Sequence, residues 1–227
     1  MSTFIPRLTA CVHCGQSTMR SVCLSLNGPR RPDLVDEILA GRFQRWPCPC
    51  GAVQSVDQAM LYVDFGLGHW VVMLPAQGEK GWARHEQEAV ASWRQNMVVN
   101  APPMMRRLSG QSTVRCVFGL AALREKLVAW RAGLNDTWLE VLKIELMRSG
   151  VGWSPTRRPR LIEAGDKLIF EVAGAHLQVD PGLLTRMQLE PLDWLSAHQA
   201  VSAGPYVDVG RLLMPGQSRL DSGTLPS

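Results

Sequence analysis

Two close cysteine pairs, Cys11 with Cys14 and Cys48 with Cys50, are each followed at once by a glycine, Gly15 and Gly51. No other feature restricts the fold so strongly. Thiolates are soft, negatively charged ligands, and four in a tetrahedron suit zinc. In a Cys-x-x-Cys-Gly turn, backbone N–H groups bond the sulfurs while glycine adopts the unusual backbone angles. The expectation is one structural zinc ion held by Cys11, Cys14, Cys48 and Cys50, joining two distant segments. Such an ion contributes about 10 kcal/mol to folding, comparable with the net stability of a domain. Four thiolates leave no open coordination position, which argues against a catalytic zinc.

Two other readings compete. A thioredoxin-like redox pair calls for a helix starting at the first cysteine, whereas β-forming residues follow Cys14. Buried free thiols are the other. The second pair is also unorthodox, because Cys48-Pro49-Cys50 has one intervening residue and Pro49 has no N–H for a sulfur. His13 or Cys23 is an alternative fourth ligand; otherwise they read as an exposed turn residue and a small buried hydrophobe. Cys23 and Cys116 stand singly in apolar runs.

The chain has 227 residues, 46% hydrophobic and 19% charged, a globular composition sufficient for one large domain or two modest ones. No apolar run reaches the roughly 18 residues needed to cross a bilayer. The opening MSTFIPRLTAC lacks the apolar centre and cleavage site of a secretory signal. The expected compartment is the cytoplasm, without membrane contact and with thiols reduced. Lys and Arg number 24 against 20 acids, a net charge of +4, which permits nucleic-acid contact without arguing for it.

Strands are expected over 4–10 and 17–26, with a helix over 32–40 started by Pro32 and stopped by Gly41. Strands over 53–65 and 69–74, a helix over 82–97 and a linker over 100–113 follow. A strand at 114–118 leads into a helical hairpin, 120–149, with Gly133 closing its first helix. Thr137 and Glu140 have capping-box spacing for the second helix, with Asp136 as a competing cap. Strands over 161–163, 167–172 and 176–179 precede short helices over 183–189 and 192–203; the polar tail after Pro215 is expected to fray. No internal repeat is present.

The knuckles, together with RPDLVDEILAGRFQRWPCPCG, MLYVDFG and VVMLP, resemble the bacterial CpXC-domain family. The resemblance continues through RCVFGLAALREKLVAWRAGLNDTWLEVLKIEL, to about residue 150, and weakly beyond. It implies zinc bound through both cysteine pairs, directly on Cys11, Cys14 and Cys50, and no established activity. Family knuckles usually read Cys-Pro-x-Cys; here Val12 follows Cys11, and Pro47 occupies the usual ligand position before the shortened Cys48-Pro49-Cys50.

Arg157, Arg158 and Arg160 follow Trp153 in a segment able to grip phosphates or stack on bases, or simply to be a solvated loop. Arg30-Arg31 and Arg106-Arg107 are weaker instances. The charges Arg124, Glu125, Lys126, Asp136, Glu140, Lys143 and Glu145 on the helical hairpin are read as exposed ion pairs and caps. Glu79, His85, Glu86 and Glu88 are read as facing water, since no H-E-x-x-H, P-loop or G-x-S-x-G motif occurs.

The combined expectation is an α+β protein with an N-terminal zinc-ribbon-like β region, an inserted helix, a central helical hairpin and a small C-terminal sheet with short helices. Residues 1–113 form the zinc-binding region and 114–227 the α+β region. The function expected is a binding or scaffold module for a protein partner, which eight tryptophans support. A nucleic-acid accessory protein using Arg157, Arg158 and Arg160 is the first alternative. An enzyme whose pocket gathers His85, Glu125, Asp136 or Glu140 is the second.

Overall fold

The computed structural model describes residues 2–150 and 157–214. The polar tail after Pro215 and the Trp153 end of the arginine segment lie outside these residues.

Strands β1 (Thr3–Ala10) and β2 (Ser17–Asn27) form a long antiparallel hairpin whose turn contains the first knuckle. A 3-10 turn at Gly28–Arg30, capped by the Asn27 side chain, leads into α1 (Pro32–Leu39). Strands β3 (Arg45–Pro47) and β4 (Val53–Ser55) make a second, short hairpin whose turn contains the other knuckle. Strands β5 (Met60–Asp64) and β6 (His69–Leu74) pair antiparallel. Helix α2 (Trp82–Arg94) runs into a π turn at Gln95–Val99, then α3 (Pro103–Ser109) and β7 (Thr113–Phe118).

Helices α4 (Gly119–Arg131) and α5 (Asp136–Arg148) form the central hairpin. Strands β8 (Arg160–Ala164), β9 (Leu168–Val172) and β10 (Ala175–Val179) follow as an antiparallel meander. Helix α6 (Pro181–Leu189), a 3-10 turn at Pro191–Trp194, α7 (Leu195–Val201) and α8 (Gly210–Leu213) complete the described chain.

The main sheet has the order β1-β2-β5-β6-β7, with β2/β5 and β6/β7 parallel. Its centre is covered on both faces, which is why β6 reads His-Trp-Val-Val-Met-Leu without polar alternation. Val71 and Met73 pack with Leu26, Tyr62 and Leu123 in the core shared with α1 and α4. Trp70 and Val72 pack on the opposite face with Trp93 and Met97 of the α2 side. Another core joins α5 to the C-terminal sheet and helices through Leu139, Leu142, Phe170 and Met187.

The α+β class and most of the expected elements are present, with informative differences. The run expected as one strand over 53–65 is two: β4 closes the short hairpin and β5 enters the main sheet. Between them Val56 N–H donates to the Gln44 carbonyl and the Asp57 side chain accepts from Ala76 N–H, which holds this segment outside both ladders. The expected linker over 100–113 contains α3, begun by Pro103. The cap of α5 is Asn135, whose side chain accepts from Thr137 and Trp138 N–H, rather than Thr137 or Asp136. The boundary expected at 113/114 falls at the entry to β7, which completes the sheet of the N-terminal half.

Candidate metal centre

Each knuckle is a hairpin turn closed by its own backbone. Gly15 N–H donates to the Cys11 carbonyl at 2.8 Å, and Gly51 N–H to the Cys48 carbonyl at 2.9 Å. Both glycines have left-handed φ, 75° and 87°, which a residue with a Cβ adopts only under strain. Cys11 N–H donates to the Gln16 carbonyl and Cys48 N–H to the Ala52 carbonyl, so the shortened second knuckle closes like the first. In the first, the N–H groups of Cys14 and His13 donate to Cys11 Sγ. In the second, Cys50 N–H donates to Cys48 Sγ, the role that Pro49 lacks a hydrogen to fill.

The two turns meet. Cys11 Sγ lies 3.8 Å from Cys50 Sγ and Cys14 Sγ lies 3.6 Å from Cys48 Sγ. All four sulfurs lie within 4.8 Å of one another. Sulfurs at the corners of a tetrahedron around zinc, with Zn–S near 2.3 Å, are separated by about 3.8 Å. The donor set therefore fits such an ion in spacing as well as chemistry. Cys11 and Cys48 are buried while Cys14 and Cys50 are exposed, so the site lies at the surface end of both hairpins. Arg20 braces them from the side: it donates to the Pro47 carbonyl and lies over the Trp46 ring.

Electrostatics also ask for a cation here. The N–H groups of Cys14 and His13 bring the Cys11 thiol down to about 6. At Cys48 the Cys50 N–H acts in the same sense, but burial and the neighbouring sulfurs overcome it and push the thiol up to about 12. Several thiolates at this spacing repel one another unless a positive ion sits among them. The other sulfurs stand apart. Cys23 is fully buried with its thiol donating to the Ser25 carbonyl, Cys116 is buried in the sheet, and His13 is exposed.

The charged hairpin differs most from expectation. Glu125, Lys126, Asp136, Glu140 and Lys143 are buried, not displayed. Lys143 Nζ lies 3.0 Å from Glu125 and 2.9 Å from Glu140; Lys126 Nζ lies 3.1 Å from Asp136. Arg115 donates twice to Asp136, and Arg160 bridges Glu125 and Asp208. Arg158 grips Glu79 and Asp208. The carboxylates Glu79, Glu125, Asp136, Glu140 and Asp208 are thus balanced by Arg115, Lys126, Lys143, Arg158 and Arg160. Glu125, Glu140 and Asp208 are close enough to share a metal ion, but Lys143 and Arg160 already supply their counter-charge.

This placement removes the basis of two expectations. Arg158 and Arg160, proposed for phosphates, have side chains 6% and 19% exposed and are committed to carboxylates; only Arg157 is exposed. Glu125, Asp136 and Glu140 do converge, but in packed protein, while His85 pairs with Glu88 elsewhere. Glu79 and Glu86 do not face water either, being bound by Arg158 and Arg211. Charged residues are interspersed with apolar ones along both α4 and α5, and their spacing alone does not tell a charge turned inward from one turned to water. Nothing local announced Asp208, or Tyr206, whose hydroxyl donates to Glu79; both come from a loop far along the chain.

Comparison with curated proteins finds no match, and comparison with solved structures finds none either. A family model described as CpXC protein matches residues 9–143, a span that contains both knuckles and the helical hairpin as far as Lys143. As this match covers more than half of the sequence, the chain belongs to the CpXC family.

Proposed function

We propose that the protein is a structural-zinc module that binds a protein partner through the hairpin arm fastened by the metal. The observation that carries this reading is the arm itself. β2 pairs with β5 only at Ser25–Asn27, so the β1/β2 hairpin extends well past the main sheet. Leu8 and Met19 face each other across it, 63% and 60% exposed, and Phe4, on the same face of β1, is partly exposed further along. Among the described residues the outer edge of β1 pairs with no other strand, leaving backbone groups available for strand addition. An apolar strip beside an open strand edge suits a partner offering an extended apolar segment. In this reading the hairpins form a zinc-ribbon-like unit, with the ion holding the arm at a fixed angle.

Metal analysis tests the first half. Purified protein should carry one zinc per chain, Cys11→Ser should lose it together with thermal stability, and Cys116→Ser should keep it. Equal zinc in the wild type and Cys11→Ser would sink the site. The second half is tested by placing a photo-crosslinking side chain at position 8 in the native host. One discrete protein adduct should form, and it should disappear when Met19→Ser is added. The same adduct from a crosslinker at Glu163 would dismiss the arm as the binding surface.

A further inference from the structure

Between α1 and α4, above the carboxyl ends of the parallel strands β2 and β5, lies a cavity of about 320 Å³. Its lining includes Gly28, Tyr62, Asp64, His69, Leu127 and Trp130. Tyr62 is 3% exposed as a residue, but its hydroxyl bonds no group among the described residues and is open to water. A ligand atom that enters the cavity can take the place of water on such a hydroxyl. Room for it comes from Gly28: a Cβ there would lie 2.6 Å from the Tyr62 oxygen.

The neighbours of that hydroxyl define what fits. Tyr62 and Asp64 are two residues apart on β5, so their side chains share a face. Asp64 Oδ1 accepts from Gly66 and Leu67 N–H, whereas Oδ2 has no bond among the described residues. His69, opposite Asp64 in the sheet, stacks on Trp130 with centroids 3.9 Å apart. Val35, Leu39 and Leu127 contribute apolar surface. Burial, with the Asp64 charge adding to it, pushes the Tyr62 hydroxyl up to about 12, so it keeps its proton and is a donor at neutral pH. Burial moves the His69 imidazole the other way, down, so its neutral form is favoured in this wall.

We infer that this cavity is a binding site for a small, flat nitrogen heterocycle that carries a ring acceptor for Tyr62 beside an N–H donor for Asp64. The aromatic wall favours a planar ring, the volume is that of a small-ligand pocket, and a carboxylate at the floor disfavours an anion. The inference is independent of the zinc site and of the arm.

Adenine, cytosine and nicotinamide, each a flat ring with acceptor and N–H₂ groups, are the probes. They are titrated into the zinc-loaded full chain while the indole N–H of Trp130 and the ring of His69 are followed by NMR. At least one should shift both signals saturably. Tyr62→Phe should weaken that binding tenfold or more without lowering the melting temperature, because the hydroxyl it removes bonds no protein group. Asp64→Asn, which keeps an oxygen for the Gly66 turn, should weaken it as well. Benzoate should not compete. Absence of saturable shifts for all three probes overturns the inference and leaves a water-filled cavity; equal affinity of Tyr62→Phe and wild type overturns it too.

Discussion

Lys143 is placed where none of its side chain meets water. Desolvating an ammonium ion costs several kcal/mol, and here the cost is offset by Glu125 and Glu140, both also fully buried. Lys143→Met should therefore cost about 3–5 kcal/mol, because it leaves carboxylates buried without their partner. Glu88→Ala, which breaks an exposed pair with His85, should change stability by less than about 1 kcal/mol. Urea unfolding of the two variants checks the contrast, and similar midpoints would mean that water reaches Lys143. The clustered cysteines behave differently. Cys48 takes an N–H from Cys50 across Pro49 and its sulfur lies 3.6 Å from Cys14 Sγ, so the proposed zinc site needs it as much as the others. Cys48→Ser should lose zinc as completely as Cys11→Ser, measured as zinc per chain, whereas a purely packing role for Cys48 predicts retention.

At the level of elements, short-range signals were reliable where one local device decides the outcome. Pro32 opens α1, Gly133 closes the turn after α4, and the strand 69–74 is found with its expected ends. They failed where distant residues decide. The Thr137/Glu140 spacing suggested a capping box, but Glu140 turns inward to Lys143 and the Val209 N–H, leaving the cap to Asn135. Asn135→Ala should then destabilise by about 1 kcal/mol, seen as a lower urea midpoint. A midpoint unchanged from wild type would show that packing alone sets the start of α5. Candidate-site residues divide in the same way. Cys11, Cys14, Cys48 and Cys50 were legible because knuckle chemistry is local, and only their meeting needed the fold. Tyr62 was not, because its significance lies in a hydroxyl without a partner beside a glycine on another element. Nor was the role of Arg158 and Arg160: three arginines in one segment look alike until Glu79, far before them in sequence, and Asp208, far after, are brought against them.

On the scale of the whole molecule, the buried network joins parts that the sequence places far apart. Glu79 precedes α2, Asp136 begins α5, Arg160 begins β8 and Asp208 lies just before α8. Acid should therefore loosen the main sheet, the helical hairpin and the C-terminal sheet together. Burial alone would raise the carboxyl of Asp136, but Lys126 and Arg115 outweigh it and hold the group well below the usual range. Arg160, Lys143 and Arg158 do the same for Asp208 against the same burial. For a depressed carboxyl the stability is fully present above the unfolded value, about 3.9, and is lost as pH falls through the folded one. At Glu125 too, burial would raise the carboxyl, but Lys143 and Arg160 outweigh it and lower the group. Glu140 opposes the trend, since burial outweighs its lysine neighbours and raises it; three depressed carboxyls against one raised leave the net slope set by the depressed ones. The urea midpoint should consequently hold between about pH 5 and 7 and fall steeply below about pH 4. Asp136→Asn should start from a lower midpoint at pH 7 and show a shallower fall over the same acid range, because it has one fewer proton to take up on unfolding. Any metal lost from the cysteine cluster at low pH would be lost from both proteins alike, so the difference between the two slopes reports on Asp136. Parallel slopes would mean that Asp136 binds protons equally in the folded and unfolded chains, and would remove it from the network that unites the fold.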